Sequence, residues 1–232
     1  MQIQTACRSV GLSAPLRRQS DVDPAVHIID DDGSFRTSML RLLRISGFDS
    51  RGYGCAGEFM LTVDREPCGC ILLDIAMPGP SGIDLLHALR ARNACPPVVF
   101  ITGRDDVLTS VDLMKYGALD YIVKPPRAER VIAVVQRAME LDATRLANRA
   151  ALRDLYARFD SLTNTERTIF FGVLRNRLNK QLAGDLGTCE RTIKAQRARM
   201  MKKLGAKSIP DLVRLAKLLE DAPDSFTSET TP

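Results

Sequence analysis

The chain has 232 residues, enough for one large domain or two modest ones. Its hydrophobic fraction of 45% and charged fraction of 26% are ordinary for a soluble globular protein. No run approaches the roughly 18 apolar residues of a membrane span, and the N-terminus lacks the apolar core of a signal peptide. We therefore predict a cytoplasmic protein without a membrane partner.

The net charge of +5 is distributed unevenly. Residues 21–127 hold 15 acids and 11 bases, a net charge of −4, whereas residues 161–220 hold 5 acids and 13 bases, a net charge of +8. This asymmetry predicts two domains with different partners, the second of which binds an anion.

The cysteines show no pattern of a metal site. Six occur, at positions 7, 55, 68, 70, 95 and 189. Only Cys68 and Cys70 lie close together, and neither a second pair nor a nearby histidine completes a zinc site. We predict that the cysteines are buried, reduced thiols.

Strand and helix patterns alternate five times in the first part of the chain. The predicted strands are Val26–Ile29, Phe48–Tyr53, a segment ending at Asp74, Pro97–Ile101 and Asp120–Val123. The predicted helices span 34–46, 58–63, 83–92 and 107–116, and a long one starts near Arg127. Short linkers between such units predict an α/β fold, a doubly wound five-stranded parallel sheet with helices on both faces.

Charged or hydroxyl side chains end four of these strands. They are Asp30 and Asp31, Asp74, Thr102, and Lys124. Because the carboxyl ends of parallel strands share one edge, we expect these side chains to converge. Clustered carboxylates repel one another and suit Mg²⁺. The metal and a lysine can neutralise phosphoryl oxygens, and a hydroxyl can donate a hydrogen bond to one of them. The pattern therefore predicts that Asp74 is a nucleophile for phosphoryl transfer.

Four motifs have the spacing of a known family. Ile29–Asp32, Leu73–Pro78, Ile101–Gly103 and Lys124-Pro125 resemble the receiver domain of two-component response regulators, over residues 24–140. The resemblance implies a flavodoxin-like receiver in which Asp74 accepts a phosphoryl group from a sensor histidine kinase.

The resemblance also assigns roles around Asp74. The implied Mg²⁺ ligands are Asp30, Asp31, Asp74 and the backbone carbonyl of Ala76. Thr102 and Tyr121 are the implied switch pair, and Lys124 the implied phosphate contact. Phosphorylation would repack the surface formed by residues 106–117, 120–123 and 127–140. Pro126 departs from the aromatic or aliphatic residue that the family commonly has there.

An enzymatic alternative is a haloacid-dehalogenase-like phosphatase, which also uses an aspartate nucleophile, Mg²⁺, threonine and lysine. That chemistry needs a second aspartate two residues after the nucleophile, where this chain has Ala76. We therefore predict that the protein is not an enzyme.

The second part of the chain is helical. Residues 127–159 predict a long helix, and Thr163–Glu166 has the pattern of a capping box that opens another. A short helix from Asn179, a turn at Gly187 and a basic helix from about Glu190 predict a helix-turn-helix. A fourth helix, over about residues 209–219, completes its core.

These helices resemble the LuxR-type DNA-binding domain of response regulators of the FixJ/NarL class, over about sixty residues. The motifs are 162–167, 179–183, 191–194 and 203–207. The resemblance implies that the helix from Glu190 enters the major groove of double-stranded DNA. The implied base contacts are Lys194 and Gln196, and the implied phosphate contacts are Lys180, Arg191, Thr192, Arg197 and Arg199.

Three residues depart from the pattern of that domain. Asn176 replaces a usual glycine, and asparagine tolerates a left-handed backbone. Cys189 replaces a usual serine or threonine N-cap, which weakens the cap by up to about 1 kcal/mol. Gln196 replaces a common histidine and would shift base preference.

We therefore predict a receiver over residues 23–141, a helical linker over 142–160 and a DNA-binding domain over 161–221. Residues 1–22 and 222–232 are predicted tails. Phosphorylation of Asp74 would promote homodimerisation and DNA binding, with RNA polymerase as a further expected partner. The alternative is a DNA-binding regulator whose receiver is only a dimer scaffold.

Overall fold

The computed structural model of the protein describes residues 23–63, 67–91, 96–103 and 114–221. Contacts divide the chain between Leu146 and Ala147 into two compact units. The predicted tails and most of the predicted helix 107–116 lie outside the described residues. No helix in the described ranges is long and apolar enough to cross a membrane.

The first unit contains a five-stranded sheet of order β2-β1-β3-β4-β5, in which all neighbours are parallel. Its strands are β1 (Ala25–Ile29), β2 (Ser50–Tyr53), β3 (Gly69–Asp74), β4 (Val98–Thr102) and β5 (Asp120–Val123). Every residue of β1, β3 and β4 is buried, as the apolar runs predicted. The order of the strands reverses between β1 and β3, whose carboxyl ends carry Asp30 and Asp74.

Helices cover both faces of this sheet, which confirms the predicted doubly wound fold. The described helices are α1 (Gly33–Ile45), α2 (Ala56–Thr62), α3 (Gly82–Ala91) and the start of α4 (Ala128–Asp160). One apolar cluster packs α2 and α3 on one face, and a second packs α1 and α4 on the other. The larger side chains of the second cluster include Met39, Leu43, Val131, Val134 and Val135.

The second predicted strand begins two residues later than expected, at Ser50 rather than Phe48. The amide of Phe48 donates to the carbonyl of Leu43 at 2.9 Å. Gly47 adopts a φ of 86°, a left-handed conformation that glycine reaches without strain. Phe48 therefore belongs to the turn that ends α1.

The second unit is formed by the end of α4 and four further helices. They are α5 (Asn164–Leu174), α6 (Asn179–Asp185), α7 (Glu190–Leu204) and α8 (Ile209–Glu220). Their apolar faces form one core that includes Ile169, Phe170, Ile193, Met200 and Leu212. The predicted helix-turn-helix is thus present, with α7 as its second helix.

An ion pair with a buried carboxylate joins the start of α5 to the end of α7. Thr163 and Glu166 form the predicted capping box at the start of α5. Glu166 is 2% exposed, and its Oε2 lies 2.6 Å from Nζ of Lys203 near the end of α7. Burial opposes the charged carboxylate, but hydrogen bonds from Lys203 and Thr163 outweigh it and lower the pKa of Glu166.

The departures at Asn176 and Cys189 behave as predicted. Asn176 has a φ of 57° and is the only non-glycine residue with positive φ among the described ranges. Cys189 occupies the N-cap of α7 without a side-chain cap hydrogen bond. Helix α7 therefore begins with a weak cap.

The prediction of buried cysteines holds for Cys70 and is wrong for Cys55 and Cys189, which are exposed. Cys68 is half-buried, and Cys7 and Cys95 lie outside the described residues. Both exposed cysteines are N-cap residues, of α2 and α7. An N-cap lies where a chain enters a helix at the surface, so its side chain stays accessible. Burial raises the pKa of Cys70 to about 12.

Candidate functional site

Three carboxylates meet at the carboxyl edge of the sheet. Carboxylate oxygens of Asp30, Asp31 and Asp74 all lie within 4.8 Å of one another. Asp30 follows β1 and is 0% exposed, and Asp74 ends β3 and is 5% exposed, whereas Asp31 faces solvent. Adjacent parallel strands bring these acids together, as the sequence predicts.

Lys124 holds the two buried carboxylates together. Its Nζ lies 2.7 Å from Oδ2 of Asp30 and 2.8 Å from Oδ2 of Asp74. Burial raises the pKa of Asp30, and the bond from Lys124 offsets this only in part. Burial also disfavours the Lys124 ammonium, but its hydrogen bonds to both carboxylates outweigh that effect and raise its pKa.

The loop after β1 is fixed by contacts that the sequence does not predict. Asp32 caps α1 by accepting hydrogen bonds from the amides of Ser34 and Phe35, while its own amide donates to Oδ1 of Asp30 at 2.9 Å. A guanidinium nitrogen of Arg36 donates to the backbone carbonyl of Asp30. Asp32 and Arg36 therefore orient Asp30 rather than join the cluster of carboxylates.

The remaining predicted receiver residues lie around this cluster. Thr102 is 6% exposed, and its hydroxyl donates to the carbonyl of Gly103 at 2.9 Å. Ala76 is exposed, and its amide lies 3.4 Å from Oδ1 of Asp74. Tyr121 is half-buried on β5 and lines a surface depression of about 300 Å³ with Pro125 and Pro126. The structure thus groups Asp30, Asp31, Asp74 and Lys124 tightly, with Thr102 beside them at the end of β4.

The predicted DNA contacts lie on α6 and α7 of the second unit. Five of them are exposed, and Gln196 and Arg197 are half-buried. The exposed members are Lys180, Arg191, Thr192, Lys194 and Arg199. Ile193, Met200 and Leu204 occupy the opposite face of α7 and are buried in the core. The basic face of α7 is therefore accessible, as a recognition helix requires.

Three of these side chains have protein partners. Oγ1 of Thr192 lies 3.2 Å from Sγ of Cys189 at the start of α7. Nη1 of Arg197 donates to Oδ1 of Asn179 at 3.1 Å, which joins α7 to the start of α6. Nζ of Lys194 lies 3.3 Å from Oε1 of Glu190 one turn earlier. The Arg197 contact braces the two helices against each other.

Family models match both units. The model of the response regulator receiver domain matches residues 26–136, and the model of bacterial regulatory proteins of the luxR family matches residues 160–216. The response regulator protein TodT of Pseudomonas putida is 34% identical over 89% of this chain and 91% of its own length. The transcriptional regulatory protein FixJ of Azorhizobium caulinodans is 37% identical over 88% of this chain and 97% of its own length.

The chain belongs to the FixJ/NarL class of two-component response regulators. A solved structure of the response regulator StyR agrees with this response regulator at a TM-score of 0.74 and 36% identity, covering 87% of this chain and 100% of that chain. The family assignment makes the protein a transcription regulator with a receiver and a LuxR-type DNA-binding domain. The receiver implies a histidine kinase partner, and the second domain implies DNA binding.

The acidic cluster of this response regulator fits Mg²⁺, which receiver domains generally bind through acidic residues. Its three carboxylates offer only oxygen atoms, the ligands that Mg²⁺ prefers. Oδ2 of Asp30 is buried, and the Lys124 ammonium at 2.7 Å is the one partner that the described residues give it. A divalent cation would compensate the charge that burial disfavours on Asp30.

Proposed function

We propose that this response regulator is activated by phosphorylation of Asp74. The observation behind the proposal is the pairing of Asp74 with Lys124 at 2.8 Å, beside Asp30 and Asp31. A carboxylate oxygen of Asp74 would form a bond to phosphorus while the bond from phosphorus to the donor breaks. The Lys124 ammonium lies where it can pair with the transferred oxygens.

Asp30, Asp31, Asp74 and the carbonyl of Ala76 would hold Mg²⁺, which neutralises phosphoryl oxygens when bound. The chain's own contribution is orientation: the bond from the amide of Asp32 and that from Arg36 keep Asp30 turned toward Asp74. Lys124 would follow the phosphoryl group because its Asp74 partner becomes an acyl phosphate.

The response would then pass to Thr102 and Tyr121. Thr102 would exchange its bond to the Gly103 carbonyl for one to a phosphoryl oxygen, and Tyr121 would turn inward from its half-buried position. Phosphorylation would thereby favour one of two packed arrangements of the surface that includes β5 and the start of α4. We propose that this surface mediates homodimerisation, which raises DNA occupancy.

DNA would be bound through the exposed face of α7 and the start of α6. Lys194 and Gln196 are proposed to contact base edges, and the other predicted residues to contact phosphates. The five exposed members of the set support this proposal. Affinity should then fall with salt at a slope near one per phosphate contact, and a flat salt response would contradict it.

Labelling tests the phosphorylation step directly. The full-length protein, incubated with acetyl phosphate and Mg²⁺, should gain one hydroxylamine-sensitive phosphoryl group, and Asp74→Asn should gain none. Asp49→Asn is a matched control because Asp49 is half-exposed on another surface and pairs with Arg51. Labelling that persists in Asp74→Asn would falsify the assignment of Asp74.

A further inference from the structure

The aromatic ring of Phe35 faces the lysine of the candidate site. Nζ of Lys124 lies 4.5 Å from the centroid of the ring, within the distance of a cation–π interaction. Phe35 is half-buried in the first turn of α1 and packs against the apolar cluster between α1 and α4. The face of an aromatic ring carries partial negative charge, so it attracts the ammonium.

Phosphorylation would change the other two partners of Lys124, Asp74 and Asp30, but not the ring of Phe35. The charge of Asp74 would change when its oxygen bonds phosphorus, and Asp30 would share its oxygens with a metal ion. The ring keeps the same charge distribution throughout. It is therefore the one partner of Lys124, among the three that the structure gives it, whose attraction is independent of the reaction.

Backbone hydrogen bonds link the segment that contains Phe35 to the Asp30 carboxylate. The amide of Phe35 donates to Oδ1 of Asp32 at 3.1 Å, and the amide of Asp32 donates to Oδ1 of Asp30 at 2.9 Å. The ring and the Asp30 carboxylate thus belong to one hydrogen-bonded loop. Lys124, whose side chain is 23% exposed, is held between this loop and Asp74.

We propose that Phe35 is a positioning residue for phosphoryl transfer, whose ring holds the Lys124 ammonium beside Asp74 before and after the reaction. The proposal rests on the proposed function, since it concerns how fast Asp74 is phosphorylated. In this role the electron density of the ring, and not its bulk alone, determines the rate at which Asp74 is phosphorylated.

Ring fluorination separates these two contributions. Mono-, di- and trifluorophenylalanine at position 35 keep nearly the same shape while they progressively weaken the attraction for a cation. With acetyl phosphate and Mg²⁺, the initial rate of labelling of the full-length protein should fall stepwise, by roughly three- to tenfold for the trifluoro form. The thermal midpoint should stay unchanged, and Phe35→Tyr should keep the wild-type rate.

Two further variants identify the partner and the role of packing. Leu42→Ala is the packing control, because Leu42 packs against the same cluster two turns along α1; it should lower the thermal midpoint without slowing the reaction. In the Lys124→Met variant, fluorination of Phe35 should not change the rate of labelling, because the cation that the ring attracts is absent.

A fluorination series with a flat or rising rate, in protein labelled normally at Asp74, would overturn the positioning role and leave the proposed function intact. A stepwise fall that persists in the Lys124→Met background would also overturn it. Wild-type protein that takes no label at Asp74 would contradict the proposed function itself, and the positioning role with it.

Discussion

Loss of the ion pair between Glu166 and Lys203 should destabilise the DNA-binding unit. Oε2 of Glu166 accepts from Nζ of Lys203 at 2.6 Å and from the amide of Thr163 at 2.8 Å. Lys203→Met removes the countercharge while it keeps an apolar stem of similar length. The Glu166 carboxylate, whose side chain is 3% exposed, would then retain only neutral donors.

The cost follows from the burial of the two partners. A buried charge that loses its partner costs about 3–5 kcal/mol of unfolding free energy. Lys203 is 36% exposed, so water reaches this pair, and we expect the lower end, about 3 kcal/mol. The double variant Glu166→Gln/Lys203→Met should recover part of that loss because no uncompensated charge remains.

The destabilisation should depend on pH. The pKa of Glu166 is lowered in the folded protein, so the pair contributes stability above the unfolded pKa, about 4.3 for glutamate, and loses it as the pH falls through the folded pKa. In Lys203→Met the folded pKa should rise instead, because burial is no longer opposed by the lysine. The difference between the two proteins should therefore shrink as the pH is lowered from 7 toward 4.

Urea unfolding of the full-length protein, followed by far-ultraviolet circular dichroism, measures this difference, since the chain has no tryptophan. Hydrogen exchange of α5 and α7 assigns the transition to the second unit. Lys202→Met, the same substitution at the neighbouring exposed lysine, is the control and should change stability by less than about 0.5 kcal/mol. A Lys203→Met protein as stable as this control at pH 7 would show that the ion pair does not stabilise the second unit.

Three further predictions concern the first unit. Gly69→Ala should lower the unfolding free energy by more than about 2 kcal/mol in urea titration, because an added Cβ would lie 2.0 Å from the carbonyl oxygen of Ala25 at a φ of +108°. Asp142→Ala should cost about 1–3 kcal/mol by the same measurement, because it leaves the buried amide of Gly69 without its acceptor at 2.6 Å; an unchanged midpoint would contradict this role. His27 is buried, and desolvation lowers its pKa to about 4. As the pH falls from 6.5 toward 4, the unfolded chain binds a proton at His27 that the folded protein does not bind, so stability falls. His27→Phe should therefore flatten the pH dependence of stability in that window, and equal slopes for the two proteins would exclude the effect.

The boundaries of most elements could be predicted because local signals agree with the tertiary structure. Apolar runs locate β1, β3 and β4, since a strand buried on both faces has no polar position. The Thr163 capping box predicts the start of α5 to the residue. Strand propensity favours Phe48 in β2, whereas the hydrogen bond between its amide and the carbonyl of Leu43 places it in the turn that ends α1.

The core of the candidate site could also be predicted, because topology brings strand ends together. That rule places Asp30, Asp74 and Lys124 at one edge without any knowledge of their side-chain contacts. The contacts themselves depend on rotamers and on helix packing, which no pattern in a single sequence specifies. The helical spacing of Phe35, Met39 and Leu43 indicates only a core face of α1. The position of Phe35 over Lys124 has no sequence signal.

The same limit applies to Arg197 and Asp142. A basic residue on a recognition helix suggests a phosphate contact, but the partner of Arg197 in this structure is Asn179 of the preceding helix. Asp142 begins the predicted linker, yet its carboxylate accepts from the amide of Gly69 in the first unit and pairs with Arg145. The contacts of Arg197 with Asn179 and of Asp142 with Gly69 join residues far apart in sequence. Charge patterning along one helix contains no information about them.

The effect of Asp74 phosphorylation on DNA binding can be measured in one experiment. A binding titration should use full-length wild-type and Asp74→Asn proteins, each with and without acetyl phosphate and Mg²⁺. The probe is a duplex selected from a random-sequence pool with phosphodonor-treated wild-type protein. The phosphodonor should increase the affinity of the wild-type protein for this duplex at least several-fold and should leave that of Asp74→Asn unchanged. Equal affinities of the two proteins under both conditions would contradict this prediction and would support a receiver that acts only as a dimer scaffold.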